Sequence, residues 1–328
     1  MKTRRNQRGG KRLGEGWHGI AYDLCSDTDH DSFCDELAKL DIHSITLSTL
    51  RGEKRITDVE KIRSFVTKMS KERGKIVKML KTSFFDRSLE VKFNEEIEKN
   101  RTILSIYKDH SAKYLTIEPV HGAVGAMIIA EGRLPFYVVF GTKCDNHYAL
   151  SLPSFLTHLL ESIVVLNKHE MIHNDIKPDN IVKCGRRYKL IDWGASRTTV
   201  SKNTPVNNTT TNPLAWYCYG YESSRCSTSL PQIFKHELPS VYKSDVFQKI
   251  YTTVWKEFAL VATRSREEVY EEFKYTFDVF QLGMSLLLLI YNKPAYHKKY
   301  IPVVQRFTSL LDPFKNAKEA LDYVRSIA

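Results

Sequence analysis

The decapeptide MIHNDIKPDN (Met171–Asn180) brings an Asp, a Lys and an Asn into one short stretch, and LIDWG adds a further Asp twelve residues beyond Asn180. Asp175, Asn180 and Asp192 offer carboxylate and amide oxygens, the donor set of a hard cation such as Mg²⁺, which keeps several waters and binds phosphate oxygens. Lys177 adds a positive charge of the kind that stabilises a phosphoryl group in transfer. A plainer reading competes: Asn, Asp and Pro are the ordinary residues of a loop between a helix and a strand. The choice rests on the elements that must position these side chains.

Upstream of the loop, SLPSFLTHLLESIVVLNKHE has the apolar content and length of a long helix, capped by Ser151 or Ser154. Downstream, NIVKCGRRYKLIDWG reads as two short strands joined by a turn at Cys184–Arg186. That hairpin brings Asp175, Asn180 and Asp192 onto neighbouring loops. YTFDVFQLGMSLLLLIY is apolar nearly all round and predicts a central buried helix. Ahead of these, KRLGEGWHGIAYDL reads as strand, Gly-rich turn, strand, and SDTDHDSFCDELAKL as a polar helix. GKIVKMLK reads as a short strand, VKFNEEIEKNRTILSIY as an amphipathic helix, and GAMIIAEGRLPFYVVFG as two strands around a turn. SRTTVSKNTPVNNTTTNPLAW (196–216) is a long polar loop. A strand-rich first third before a helix-rich remainder predicts an α+β protein.

At 328 residues, 42% apolar and 27% charged, the chain can bury a real core and is not of disordered composition. No apolar run reaches the length of a membrane span, and the longest, MSLLLLIY, suits a buried helix. The N-terminal MKTRRNQRGGKR is basic without the apolar stretch of a signal peptide, which predicts a reducing, cytoplasmic location. Six scattered cysteines with no C-x-x-C pair are then expected to be free thiols. A net charge of +11 favours an anionic partner: nucleotide, nucleic acid, acidic protein or membrane surface. Nucleic acid stays open on charge, although the basic residues lack the aromatic interleaving of a base-stacking surface.

The run HNDIKPDN…DWG resembles the catalytic loop and metal-binding turn of eukaryotic-type protein kinases, H-R-D-x-K-x-x-N and D-F-G. The resemblance extends from about Leu13 to the C-terminus. LGEGWHGIA resembles the Gly-rich loop, which implies that Leu13, Gly14, Gly16, Gly19 and Ala21 lie against the nucleotide. KIVKML resembles the strand with the phosphate-binding lysine, implying Lys78 for that role, with Lys75 and Lys81 as competitors. FNEEIEKN supplies the partner glutamate, Glu96, with Glu95 and Glu98 as alternatives. FDVFQLG resembles the helix whose Asp278 holds the catalytic loop from below, with Gly283 at matched spacing.

The resemblance implies a bilobal kinase-like fold after a basic arm (1–12). The small strand-rich lobe would span about 13–140 with an insertion at 23–74. The larger helical lobe would span about 146–328 with an insertion at 223–274. It implies Mg-ATP as cofactor and Ser/Thr hydroxyls of protein substrates as acceptors, since Lys177 with Pro178 is the Ser/Thr form of the loop. Asp175 would accept the hydroxyl proton, Lys177 would stabilise the phosphoryl group, and Asn180 and Asp192 would hold Mg²⁺. Two alternatives are a small-molecule kinase on a related fold and a pseudokinase scaffold that binds partners without catalysis.

The departures matter as well. Asn174 stands where the family has Arg, so the loop 196–216 lacks one anchor for an activating phosphate, and activity is expected not to require it. Trp193 replaces Phe, no clear A-P-E follows the polar loop, where NPLAWYCYGYESS offers only Glu222, and Asn316 stands where the family has the Arg that pairs with that glutamate. The divergent activation segment and compact C-terminal part resemble kinases of large DNA viruses, which implies the host cytoplasm or the virion as location.

Overall fold

The computed structural model describes residues 12–15, 19–24, 33–80, 88–145, 150–199, 243–261, 264 and 266–327. Residues 1–11 of the basic arm, Gly16, Lys81, the loop beyond Thr199 and Glu222 lie outside them. The protein is mixed α and β, and it divides into two compact units, Met1–Asp145 and Asn146–Ala328.

The first unit is built on seven strands: β1 (Arg12–Glu15), β2 (Gly19–Asp23), β3 (Ile42–Thr49), β4 (Gly52–Ile56), β5 (Lys75–Leu80), β6 (Ala123–Ala130) and β7 (Phe136–Thr142). They form one sheet in the order β1-β2-β5-β7-β6-β3-β4, with every neighbouring pair antiparallel. Four helices accompany it: α1 (Phe33–Ala38), α2 (Val59–Met69), α3 (Ser88–Ile106) and the single turn α4 (Ser111–Tyr114).

Segment 23–74, expected from the sequence as an insertion, contributes to both the sheet and the core of this unit. It supplies β3 and β4 to the sheet and α1 and α2 to the core. Asp58 starts α2, its carboxylate accepting the Lys61 N–H at 3.0 Å, and Ile62, Phe65, Val66 and Met69 recur at helical spacing on the buried side. With Phe33 and Leu37 of α1 they pack on Ile45, Leu47, Ala126, Ile128, Val138 and Phe140 of the sheet. Each such side chain contributes about 1.5–3 kcal/mol on burial.

Helix α3 covers the opposite face. A side chain at Gly125 would meet Ile97 Cδ1 at 2.6 Å and the Val138 carbonyl at 2.5 Å, so only glycine lets α3 approach β6 there. The cross-strand row Ala21, Lys78, Val139, Gly125 lies on this face, because Val77, Val138 and Ala126 point into the other core. Lys78 is thereby directed towards α3.

The second unit contains α5 (Leu152–Lys168), β8 (Met171–Ile172), a 3-10 turn (Pro178–Asn180), β9 (Ile181–Cys184), β10 (Arg187–Leu190), a second 3-10 turn (Trp193–Ala195) and β11 (Arg197–Thr198). Helices α6 (Asp245–Val261), α7 (Arg266–Phe273), α8 (Phe277–Ile290), α9 (Pro294–Thr308) and α10 (Ala317–Ile327) follow. Helix α8 is buried along almost its whole length. At Gly283 an added methyl would come within 2.7 Å of Phe307 Cβ and 2.9 Å of Thr308 Cγ2, so the glycine allows α9 to lie close. Asn316 caps α10, its Oδ1 accepting the N–H groups of Lys318 (3.0 Å) and Glu319 (3.1 Å).

Two expectations need correction. Cys144 and Cys184 each take part in a disulfide, whereas Cys34 is a buried free thiol. Spacing along a chain carries no pairing information, so the sequence could not have shown this. The stretch read as a loop from Ser196 begins as a strand: Arg197 and Thr198 pair antiparallel with Ile172 and Met171. Two residues are too few to give a strand period.

Candidate active site

Helix α8 holds the backbone of the loop that follows β8. The Asp278 carboxylate accepts the His173 N–H at 2.8 Å and the Asn174 N–H at 2.9 Å. One turn on, Gln281 Oε1 accepts the Ile176 N–H at 2.8 Å and its Nε2 donates to the Asn174 carbonyl at 3.2 Å. Ser285 Oγ reaches the Ile176 carbonyl at 3.1 Å. Positions 278, 281 and 285 share one helix face, so a single rigid element fixes the backbone of His173, Asn174 and Ile176 on both sides of Asp175. The loop needs that support, because Asn174 sits in the left-handed region at φ 65°, which Asn tolerates better than most residues. Sequence reasoning singled out Asp278 and missed Gln281 and Ser285. Their signal was available: polar residues three and seven positions beyond Asp278 in an otherwise apolar helix.

His173 is fully buried, and its hydrogen bonds define its tautomer. Nδ1 accepts the Asp175 N–H at 3.3 Å, leaving Nε2–H to donate to the Ile191 carbonyl at 3.1 Å. Burial lowers its pKa to about 4, against the upward pull of the Asp192 charge. The imidazole is therefore a neutral strut between the two loops.

Asp175 is buried as well, and its carboxylate takes Lys177 Nζ at 2.8 Å and Asn180 Nδ2 at 2.8 Å. Burial raises its carboxyl above the usual range, Lys177 and Asn180 oppose that, and Asp192 adds to it. Such a carboxylate is a stronger proton acceptor than one in water, and the Lys177 charge beside it favours its ionised form.

Asn180 Nδ2 also donates to the Asp175 carbonyl at 2.9 Å. Two acceptors on one side fix the orientation of the amide, so Oδ1 is turned away from Asp175 and is the oxygen available to a cation. The hairpin also carries Asp192. Ile181 pairs with Leu190, the Ile191 N–H donates to the Asn180 carbonyl at 3.0 Å, and Asp192 follows in a left-handed conformation at φ 63°. Among the described residues no group of three or more His, Cys, Asp or Glu side chains is gathered for a metal. Asn180 and Asp192 together fit a hard cation that completes its shell with water and phosphate oxygens.

In the first unit, Lys78 Nζ donates to Glu96 Oε1 at 2.9 Å, with both side chains largely shielded. Lys75 is paired with Glu118, and Glu98 with Arg101. Gly19 pairs across to Leu80, and a side chain there would meet the Met79 carbonyl at 2.6 Å, so close strand approach requires glycine. Gly14 pairs with Ala21, and Leu13 is the extra residue at a register shift between Arg12 and Gly14. Gly16 lies outside the described residues.

The chain matches no protein-family model and none of the curated proteins.

Proposed function

We propose that this protein is a protein serine/threonine kinase of divergent sequence, transferring the γ-phosphoryl group of Mg-ATP to hydroxyl groups of protein substrates. One observation carries the reading: a buried carboxylate, Asp175, held by Lys177 and Asn180 on a loop that helix α8 fixes at His173, Asn174 and Ile176. Phosphoryl transfer asks little covalent chemistry of a protein and much positioning, and this loop is built for positioning.

In this reading Asp175 orients the acceptor hydroxyl and takes its proton. Lys177 lies beside that carboxylate and neutralises charge on the phosphoryl group as it moves. Asn180 Oδ1 and the Asp192 carboxylate hold Mg²⁺, which supplies charge neutralisation at the phosphate oxygens. Lys78, kept in place by Glu96, takes the α- and β-phosphates, the role its family counterpart has in pairing with a helix glutamate. Leu13, Gly14, Gly16, Gly19 and Ala21 line the nucleotide. The neutral His173 couples the Asp175 loop to the carbonyl before Asp192.

The test is transfer of labelled γ-phosphate from Mg-ATP to a generic basic and a generic acidic protein, for the wild type and Asp175→Asn. Transfer is expected to fall by about 10²–10⁴ in the variant, the usual worth of a positioned proton acceptor. Nucleotide binding without transfer would favour a scaffold. Transfer to small hydroxyl compounds alone would favour a metabolite kinase.

A further inference from the structure

Glu96 stands on helix α3, so whatever fastens α3 to the sheet also decides where Glu96 stands. Phe93, Ile97, Asn100 and Leu104 recur at helical spacing on the buried side of this helix. Phe93 meets Tyr137 of β7, with ring centroids 5.2 Å apart, and Ile97 lies over Gly125 of β6.

The C-terminal half of α3 is held in another way. Arg101, one turn beyond Ile97, has a largely shielded side chain that reaches the tip of the β3–β4 hairpin. Its Nε donates to the Thr49 carbonyl at 2.8 Å, and one terminal nitrogen donates to the Gly52 carbonyl at 3.4 Å. The other terminal nitrogen pairs with Glu98 on α3 itself. All three guanidinium nitrogens are engaged, an arrangement a lysine cannot reproduce. The tip is shaped to present its carbonyls. Thr49 Oγ1 donates to the Gly52 carbonyl at 2.8 Å and accepts the Arg51 N–H at 3.2 Å, and Gly52 adopts φ 132°, a conformation that favours glycine.

The sheet register connects this contact to Lys78. The cross-strand row Ala21, Lys78, Val139, Gly125 continues through Ser48 of β3 to Glu53 of β4. Helix α3 lies across that row, with Glu96 at Lys78, Ile97 at Gly125 and Arg101 at the hairpin.

We infer that Arg101 is a positioning residue: by clamping α3 to the β3–β4 hairpin it holds Glu96 in reach of Lys78. The catalytic consequence rests on the kinase reading, whereas the clamp is a property of the first unit by itself. Segment 23–74 thereby acquires a task, since it supplies the hairpin on which the helix of Glu96 is anchored.

Arg101→Met, Glu96→Gln and their double variant test this beside the wild type. Backbone hydrogen exchange is followed by mass spectrometry, and kcat/KM for Mg-ATP is measured in phosphoryl transfer. In Arg101→Met the amides of residues 98–106 and 49–52 should exchange about tenfold faster, as loss of hydrogen bonds from a charged donor allows, with those of α2 unchanged. Unaltered exchange in α3 overturns the inference, and so does equal acceleration in α2, which would report a general loss of stability. Arg101→Met should lower kcat/KM about tenfold in the wild type but less than about threefold in Glu96→Gln, because its effect passes through Glu96. Losses that simply multiply also overturn it. Should Arg101→Met not fold, Thr49→Val, which loosens the same turn and leaves α3 untouched, is read by the same two criteria. Wild-type protein without phosphoryl transfer would remove the kinase reading alone, and hydrogen exchange would still judge the clamp.

Discussion

The carboxylate of Asp278 accepts the backbone N–H of His173 at 2.8 Å, joining a buried helix to a loop 105 residues earlier in the chain. A second bond, from the Asn174 N–H at 2.9 Å, makes Asp278 the acceptor for two consecutive amides. Asp278→Ala should therefore cost about 2–5 kcal/mol, the penalty of leaving two buried donors without acceptors. Urea denaturation measures this, and a cost below about 1 kcal/mol would mean that water replaces the carboxylate.

The pH dependence of stability should show two opposing slopes. His173 titrates at about 4 in the folded protein, against a normal 6.5, because it is buried. The unfolded chain takes up this proton first, so stability is lost as pH falls from about 6.5 to 4, by roughly 3 kcal/mol. Asp278 is raised from 3.8 to about 6, chiefly by burial. Here the folded protein binds the proton first, so stability is gained as pH falls from about 6 to 4, again by roughly 3 kcal/mol. The two largely cancel in the wild type. Relative to it, His173→Gln should gain stability towards acid and Asp278→Asn should lose it. Urea midpoints at pH 4, 5 and 6 give the slopes; parallel lines for all three proteins would show that neither group titrates there.

Lys78 and Lys75 lie three residues apart on β5, each with a glutamate partner, Glu96 and Glu118 respectively. Lys78→Met should reduce phosphoryl transfer by about 10²-fold or more, as loss of a positioned charge at a phosphate does. Lys75→Met removes a similar ion pair and should leave transfer within about threefold, since partly exposed pairs contribute little. Steady-state rates with both variants make the comparison, and a reversed order would shift the register assigned to this strand.

Asp192→Asn keeps the shape of the turn and removes a charge that would face a cation. It should weaken binding of Mg-ATP about tenfold more than binding of metal-free ATP. Calorimetric titration with and without Mg²⁺ reads the difference, and equal weakening of both would assign Asp192 a structural role.

The sequence by itself determined the chemical set and the elements that carry it. Asp175, Lys177 and Asn180 are close along the chain, so their grouping on one loop needed no tertiary information. Asp192 joined them because NIVKCGRRYKLIDWG contains a short hairpin, and a hairpin returns the chain to its starting point. Likewise, a strand with lysines followed by a helix with glutamates limited the pair to a few candidates.

Only the tertiary structure decided which of these side chains meet, and what supports them. Lys78 reaches Glu96 because the pleat puts it on the face that α3 covers, while segment 23–74 fills the other. Periodicity in one strand cannot say which helix lies on which side. Gln281 and Ser285 act on backbone amides and carbonyls far away in sequence, so no local pattern assigns them a partner. The same limit explains segment 23–74. Its length is visible in the sequence, but its place beside β6 follows from long-range antiparallel pairing, which is set by packing of the whole sheet.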